Sequence, residues 1–320
     1  MRFSTIVAVT GLLLLGTVAP ALAASGPAAA AAPWWVWPLS LFVVTFLLGI
    51  VAVLAGIGGG VLFVPIVAGF FPFHLDFVRS AGLLLALAGS LSAGPGLLMS
   101  GMASLRLAMP FALVGSVFSM VGALVSFALP ADVIQAMLGV AIMLIVLLMW
   151  RAGAAEPSAG SSASPASGAA GGGDRFAAAL GLAGAYFDPV AGRNIDWRVQ
   201  HTLAGFGAFA FIGLVGGMFG LGAGWANVPA LNLLLGVPLK GALATSNIVM
   251  SIVNTSAAWI YIGRGAVIPM LAVPSVIGVM LGAKIGMRLL RRLHTAVLRR
   301  IVIVVLLLAG SRALLKGLGI

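Results

Sequence analysis

Residues 56–65 read GIGGGVLFVP, and residues 220–229 read GLGAGWANVP. Both stretches lie inside long apolar runs, yet they carry four and three glycines and end on a proline. In a helix interior glycine costs about 1 kcal/mol and proline about 3 kcal/mol relative to alanine, so two such stretches mark two helices that are interrupted. A helix interrupted in hydrocarbon leaves backbone N–H groups unpaired at its new N-terminus. Irregular backbone survives there only when it lines a polar cavity or is covered by protein. Glycine permits the turn and lets a ligand approach the backbone, and the new helix N-terminus favours an anion. The two stretches therefore predict broken-helix ends facing each other across a binding site built on Gly58, Gly59 and Gly60 in one copy and Gly222, Ala223 and Gly224 in the other. Close helix packing is the competing use of glycine. It is the better reading for Gly278, Gly282 and Gly286, spaced at four along one helix.

The whole chain supports a membrane setting. Of 320 residues, 62% are hydrophobic and 7% charged, with mean hydropathy +1.22. A soluble protein of this size needs more charge to face water. The net charge of +11 reads as cytoplasmic loop charge rather than as a nucleic-acid footprint, because Arg288, Arg291, Arg292, Arg299 and Arg300 cluster between two apolar runs. The expected partners are a lipid bilayer and a small anionic substrate, with no nucleic acid; a homo-oligomer is left open. With no cysteine, disulfides, thiolate metal sites and cysteine nucleophiles are excluded. Residues 1–23 read as a signal peptide: Arg2, the apolar stretch Ile6 to Val18, then Ala21-Leu22-Ala23 as a cleavage site. This places the protein in the inner membrane of a bacterium, spanning it several times.

Apolar runs long enough to span occur near 34–56, 78–100, 107–129, 132–150, 201–220, 241–262, 267–288 and 296–315, with shorter pieces at 60–71 and 225–236 after the glycine stretches. Tryptophans at 34, 35, 37 and 150, and Trp259 with Tyr261, stand where interfacial aromatics belong. A shift of 164 residues lays Gly56, Gly58, Gly60 and Pro65 on Gly220, Gly222, Gly224 and Pro229 (220 minus 56), and Ser92, Gly101, Pro110 and Gly122 on Ser256, Gly265, Pro274 and Gly286. The expected fold is thus an all-α polytopic membrane protein of two homologous four-helix repeats, 34–150 and 200–318, each with a glycine-broken, partly re-entrant helix. Between them, 151–199 reads as a Gly/Ser-rich linker followed by a surface β-hairpin around YFDPVAGRNIDWRV. If the short pieces re-enter, the repeats are parallel and the connection is external. If they cross, the repeats are inverted and the connection is cytoplasmic, the arrangement that recurs among secondary transporters.

Enzymatic motifs are missing from the sequence: no His-Glu-x-x-His, no Gly-x-Ser-x-Gly and no Walker loop. Six acidic residues form no catalytic pair, and three histidines form no cluster. The sequence therefore predicts no enzyme, no cofactor and no metal. Two helix N-termini contribute only about 0.3–2 kcal/mol each towards an anion, against at least ~3 kcal/mol for a charge at mid-bilayer, so side-chain donors are required. The second half supplies Asn227, Asn232, Thr245, Ser246, Asn247, Ser251 and Asn254, of which 247, 251 and 254 share one helical face. The first half offers Ser80, Ser90 and Ser92. His74, Arg79 and Lys240 stand at the margins, where basic side chains can attract an anion to the cavity entrance; for Arg79 and Lys240 cytoplasmic anchoring is the better reading.

The two glycine-proline stretches, the turn LGVPLKGALATSN (235–247) and the later YIGRGAV (261–267) closely resemble the TauE/SafE family of sulfite and organosulfonate exporters. Gly236, Pro238, Ala244, Thr245, Ser246 and Asn247 carry the second half of that signature; the first half repeats it less clearly around Arg79 and Ser80. The resemblance covers 34–150 and 185–315. It implies a secondary transporter, an exporter of small sulfur-containing anions working by alternating access without ATP. This chain departs at Gly222-Ala223-Gly224, where the family tends to three glycines. A channel-like anion pore and a non-transporting membrane scaffold are the rival classes.

Overall fold

The computed structural model describes residues 35–55, 59–71, 73–99, 103–154, 177, 181–188, 193–290, 306–307 and 310–315. Gly58, the signal-peptide segment and most of the 151–176 linker lie outside these residues. The helices are α1 (Val36–Ala55), α2 (Gly59–Phe70), α3 (Leu75–Met99), α4 (Leu105–Ala128), α5 (Ala131–Ala154), α6 (Thr202–Phe219), α7 (Gly224–Pro229, continued by a π-helical turn Ala230–Leu234), α8 (Leu239–Gly263) and α9 (Pro269–Leu290). Strands β1 (Ala183–Asp188) and β2 (Arg193–Arg198) pair antiparallel, Ala183 opposite Arg198 and Asp188 opposite Arg193, forming the expected hairpin. Among the described residues four helices are long and apolar enough to cross a membrane: those around Leu75–Ser92, Leu105–Ala128, Thr202–Phe219 and Pro269–Gly286. The protein is an all-helical membrane protein with one small hairpin.

Local sequence sets the helix ends. Ser104 caps α4, its hydroxyl accepting from Leu107 N at 3.3 Å, one of the N–H groups a helix start leaves unpaired. Asp76 and Asp132 sit in the first turns of α3 and α5, where the helix dipole favours negative charge. α6 stops at Gly220, in the left-handed region at φ 70, a conformation open to glycine without penalty.

Two parallel helix pairs frame the molecule. In α1 and α9, Thr45 and Phe42 face Gly278, Phe46 faces Gly282, and Gly49 faces Val279 and Ala283. In α4 and α6, the Phe111 ring lies 4.8 Å from Phe206 and 5.0 Å from Phe209, with Gly115 opposite Gly213 and Ser119 opposite Gly217 further along. Both glycine-broken helices double back. Phe71 and Phe73, just after α2, place their rings 6.2 and 5.7 Å from Trp37 at the start of α1. Gln200 N, just before α6, donates to Leu235 O, just after α7, at 3.2 Å. Each short helix thus returns the chain to the end from which the preceding long helix set out.

The remaining contacts fix which termini share an end. Thr245 near the start of α8 meets Ser104 at the start of α4, Tyr261 meets Ser126 near the ends of the same helices, and Arg79 in α3 reaches Met218 at the end of α6. One end, the α1 end, therefore collects the starts of α1, α3, α5 and α9. The opposite end, the α6 end, collects the starts of α4, α6 and α8, the β-hairpin, and the end of α9 that leads into the Arg291–Arg300 segment. Corresponding elements share an offset of 164 residues: 239 minus 75 for the starts of α8 and α3, 263 minus 99 for their ends, and 269 minus 105 for α9 and α4.

The glycines at the α1–α9 contact allow the backbones to touch: a Cβ on Gly282 would run into the Phe46 carbonyl, whereas one on Gly207 meets nothing within 4 Å. Gly282→Ala is expected to destabilise the protein by about 1–3 kcal/mol through overpacking and Gly207→Ala to leave it unchanged or slightly stabilised, measured by SDS-induced unfolding of the purified protein in mixed micelles.

Candidate functional site

The second break is the best-defined feature of the interior. Gly220 and Gly222 take φ 70 and 72, where L-residues are strained, and both also lie too close to neighbours for a side chain. A Cβ on Gly222 would sit 2.7 Å from the Ala86 methyl and 3.2 Å from Asn254 Nδ2; one on Gly220 would collide with the backbone of Arg79. From the first break, Gly60 approaches the same place. A Cβ there would lie 2.7 Å from both Leu221 O and Gly82 O, and Gly82 in turn abuts Gly220 O. The start of α2 therefore lies against the stretch that precedes α7, with α3 between them. Gly59 faces the Val279 side chain.

Polar groups are gathered at the second break. Asn254, fully buried on α8, accepts from Ala223 N through Oδ1 at 3.3 Å, which ties the break to α8. Its Nδ2 has no partner among the described residues. Asn227, in the first turn of α7, bonds Ala223 O through its backbone N–H at 3.3 Å. Its side chain is fully buried, with both amide atoms unpartnered, and the Trp225 indole N–H is buried and unpartnered as well. An unmet buried polar atom costs about 1–3 kcal/mol. Three donors and one acceptor are thus left open within a few residues of one break, groups that a polar ligand or water would satisfy.

The other expected site residues are placed differently. The stripe 247–251–254 divides: Asn247 is half-buried and donates to Leu243 O of its own helix at 2.9 Å, Ser251 donates to Ile248 O at 2.8 Å, and Asn254 is the member that reaches the break. Back-bonding of this kind satisfies a polar side chain within its own helix. Thr245 accepts from Ser104 N at 3.2 Å and joins α8 to the cap of α4. Ser246 is buried on α8. The Ser80 hydroxyl points away from the break, to Ala266 O at 2.6 Å with Phe77 O at 2.8 Å. Asn232 donates to Val237 O at 2.8 Å and closes the turn after α7.

Two residues were missed or misread from sequence. Trp225 stands inside the quoted motif, but an indole N–H is not an obvious anion donor until its burial is known. Arg79 is no surface anchor: it is 2% exposed, paired with Asp76 and bonded to Met218 O at 3.3 Å. It also lies at the α1 end, opposite the end of α9. The three-residue spacing of Asp76 and Arg79 is the one local signal of that pairing.

Comparison with known proteins agrees with this architecture. The chain belongs to the sulfite exporter TauE/SafE family, whose family model matches residues 41–313. A protein described as probable membrane transporter protein YunE, from Bacillus subtilis (strain 168), is 30% identical over 132 residues, which is 41% of this chain and 48% of that protein. The match thus spans about half of that relative's length. No solved structure matches the chain.

Because the Asn227 amide is buried without a partner, replacing it by leucine removes a desolvation cost rather than a bond. Asn227→Leu is expected to keep or raise thermal stability, by about 0–2 kcal/mol, while abolishing saturable transport. Differential scanning fluorimetry alongside flux separates the two effects; a large loss of stability would mean that the amide is structural.

Proposed function

Starting from membership of the sulfite exporter family, we propose that the chain is a secondary transporter that exports small sulfur-containing oxyanions, such as sulfite or organosulfonates, by alternating access around the two glycine breaks. The observation that carries this reading is the set of open donors at the second break, Asn254 Nδ2, Asn227 Nδ2 and Trp225 Nε1, beside the point where Gly60 meets Leu221. Each hydrogen bond to a charged group contributes about 1.5–3 kcal/mol, so three such donors outweigh the ~3 kcal/mol cost of a charge at mid-bilayer by a few kcal/mol. The first exposed N–H groups of α7 add to this. The net is modest binding, roughly 10 μM to 1 mM, which permits release. The donors are neutral and lie in the second half, so the site is asymmetric and selects charge by hydrogen bonding rather than by a fixed counter-ion.

The two halves, 34–150 and 200–318, are read as inverted repeats. This is supported by the common offset of 164 residues and by the doubling back of α1–α2 from one end and α6–α7 from the other. The same offset exchanges the pair α1–α9 with the pair α6–α4. Counting each short helix as part of a return crossing gives each half an odd number of passes. Positive charge then puts the α6 end, with the Arg291–Arg300 segment and the 151–199 connection, in the cytoplasm. The inner membrane and a cleaved leader over 1–23 complete the reading.

Purified protein in proteoliposomes is expected to show saturable flux of at least one of sulfite, sulfate, thiosulfate, sulfoacetate and taurine, with no movement of a cation control. Flux that does not saturate at low millimolar substrate would favour a pore, and no flux from monodisperse protein would favour a scaffold. The orientation is checked independently. The chain has no cysteine of its own, so Gln200→Cys and His74→Cys, both at exposed positions, should label with an impermeant maleimide from opposite faces, His74→Cys in intact spheroplasts and Gln200→Cys after lysis. Labelling from one face would end the inverted arrangement.

A further inference from the structure

The buried charge at the α1 end is not used by the substrate site above, and its surroundings are unusual. Arg79, in the second turn of α3, is among the largest fully buried side chains of the protein. One of its terminal nitrogens pairs with Asp76, the other donates to Met218 O at the end of α6, and Nε has no partner among the described residues. The Met218 bond is long at 3.3 Å. A guanidinium offers five N–H donors in a planar fork, and this one is only partly matched. Tyr261 holds the same helix end from the other side, donating to Gly217 O at 3.0 Å and lying 3.2 Å from the Ser126 hydroxyl. The Phe127 ring carries the Arg79 guanidinium 5.9 Å from its centre and that of Arg264, an exposed residue, at 5.6 Å. Two guanidiniums thus lie near one aromatic ring, and the second oxygen of the Asp76 carboxylate lies 3.4 Å from His74.

We propose that Arg79 is a second, transient station for the transported oxyanion, between the glycine break and the α1 end, and that the anion reaches it by displacing Asp76. This rests on the reading of the chain as an anion transporter. The asymmetry of the pair sets the direction of exchange. Asp76 is 28% exposed and stands in the first turn of α3, so once released it stays solvated and favoured by the helix dipole. Arg79, buried, requires a counter-charge wherever Asp76 goes. A sulfur oxyanion presents two oxygens that match the fork as a carboxylate does. Position places the station close to the break: the Arg79 guanidinium bonds Met218 O, and the Arg79 main chain abuts Gly220. Arg264 then offers an exposed positive charge beyond it. No counterpart exists at the other end, because the offset of 164 lays Leu243 on Arg79 and Lys240 on Asp76 (243 minus 79, 240 minus 76). The station thus serves one face, the one from which an exported anion leaves.

Sulfite flux is measured in proteoliposomes for the unmodified protein, Arg79→Gln, Arg79→Lys and Asp76→Asn, with thermal stability followed for each. The expected result is opposite signs: Arg79→Gln lowers kcat/KM roughly tenfold or more, Arg79→Lys falls between because it keeps charge without the fork, and Asp76→Asn lowers KM because its competitor role is gone. A structural clasp predicts that Arg79→Gln and Asp76→Asn lose stability and flux together; that parallel loss, or unchanged kinetics in Arg79→Lys, overturns the station. If Arg79→Gln does not fold, the comparison of Arg79→Lys with Asp76→Asn decides. Absence of flux in the unmodified protein would instead remove the transport reading on which the station stands.

Discussion

A helix that stops inside an apolar slab strands backbone N–H and C=O groups, and hydrocarbon offers them no partner. This chain contains two such stops, and the rest of the fold covers them. α3 runs beside both, giving Gly82 to one and the Arg79 backbone to the other. Asn254 on α8 accepts from Ala223 N within the second stop. Arg79 and Tyr261 bond the carbonyls at the end of α6, the groups that a helix C-terminus leaves open. What remains open at the second stop is a small set of side-chain donors, and the proposed site is built on them.

Backbone plan and chemistry follow different symmetries. The starts of α8 and α9 follow those of α3 and α4 at an offset of 164 residues, and the sequence positions matched at that offset are largely glycine and proline, so on the proposed reading as repeats what the halves share is the path of the main chain. Side-chain chemistry does not repeat. The amides belong to the second half and the buried arginine to the first. An arrangement that must open to two faces gains from a duplicated frame, whereas a transport direction needs the two faces to differ. On the proposed reading as an exporter, the charged cluster of Asp76 and Arg79 at the α1 end is such a difference.

Close packing sets how firmly the frame is held. Parallel pairs α1–α9 and α4–α6 bring backbone against backbone through glycines, which in a lipid setting substitutes for the hydrophobic driving force that water would supply. The polar residues of α8 are mostly absorbed by this frame: Asn247 and Ser251 turn to their own helix, and Thr245 to the cap of α4. Sequence periodicity places residues on a face without saying whether their hydrogen bonds are already spent. That is why the stripe at 247, 251 and 254 reads as one site from sequence, while the structure has one member reaching the break and two bonded within their own helix.

Hydropathy and glycine-proline placement are properties of a residue and its near neighbours, and they sufficed for the membrane class and for most of the described helices to within a few residues, while the family was legible from the resemblance of whole motifs. The meeting of Gly60 with Leu221, the return of each short helix to its starting end, the open donors of Asn227 and Trp225, and the burial of Arg79 all depend on contacts between distant parts of the chain. Arg79 and Met218 are 139 residues apart, and in the sequence alone an arginine at a helix start reads as an interfacial anchor. Whether a polar group is paired, buried or free is a statement about its surroundings in space, and for this protein that statement decides which groups the proposed site can use.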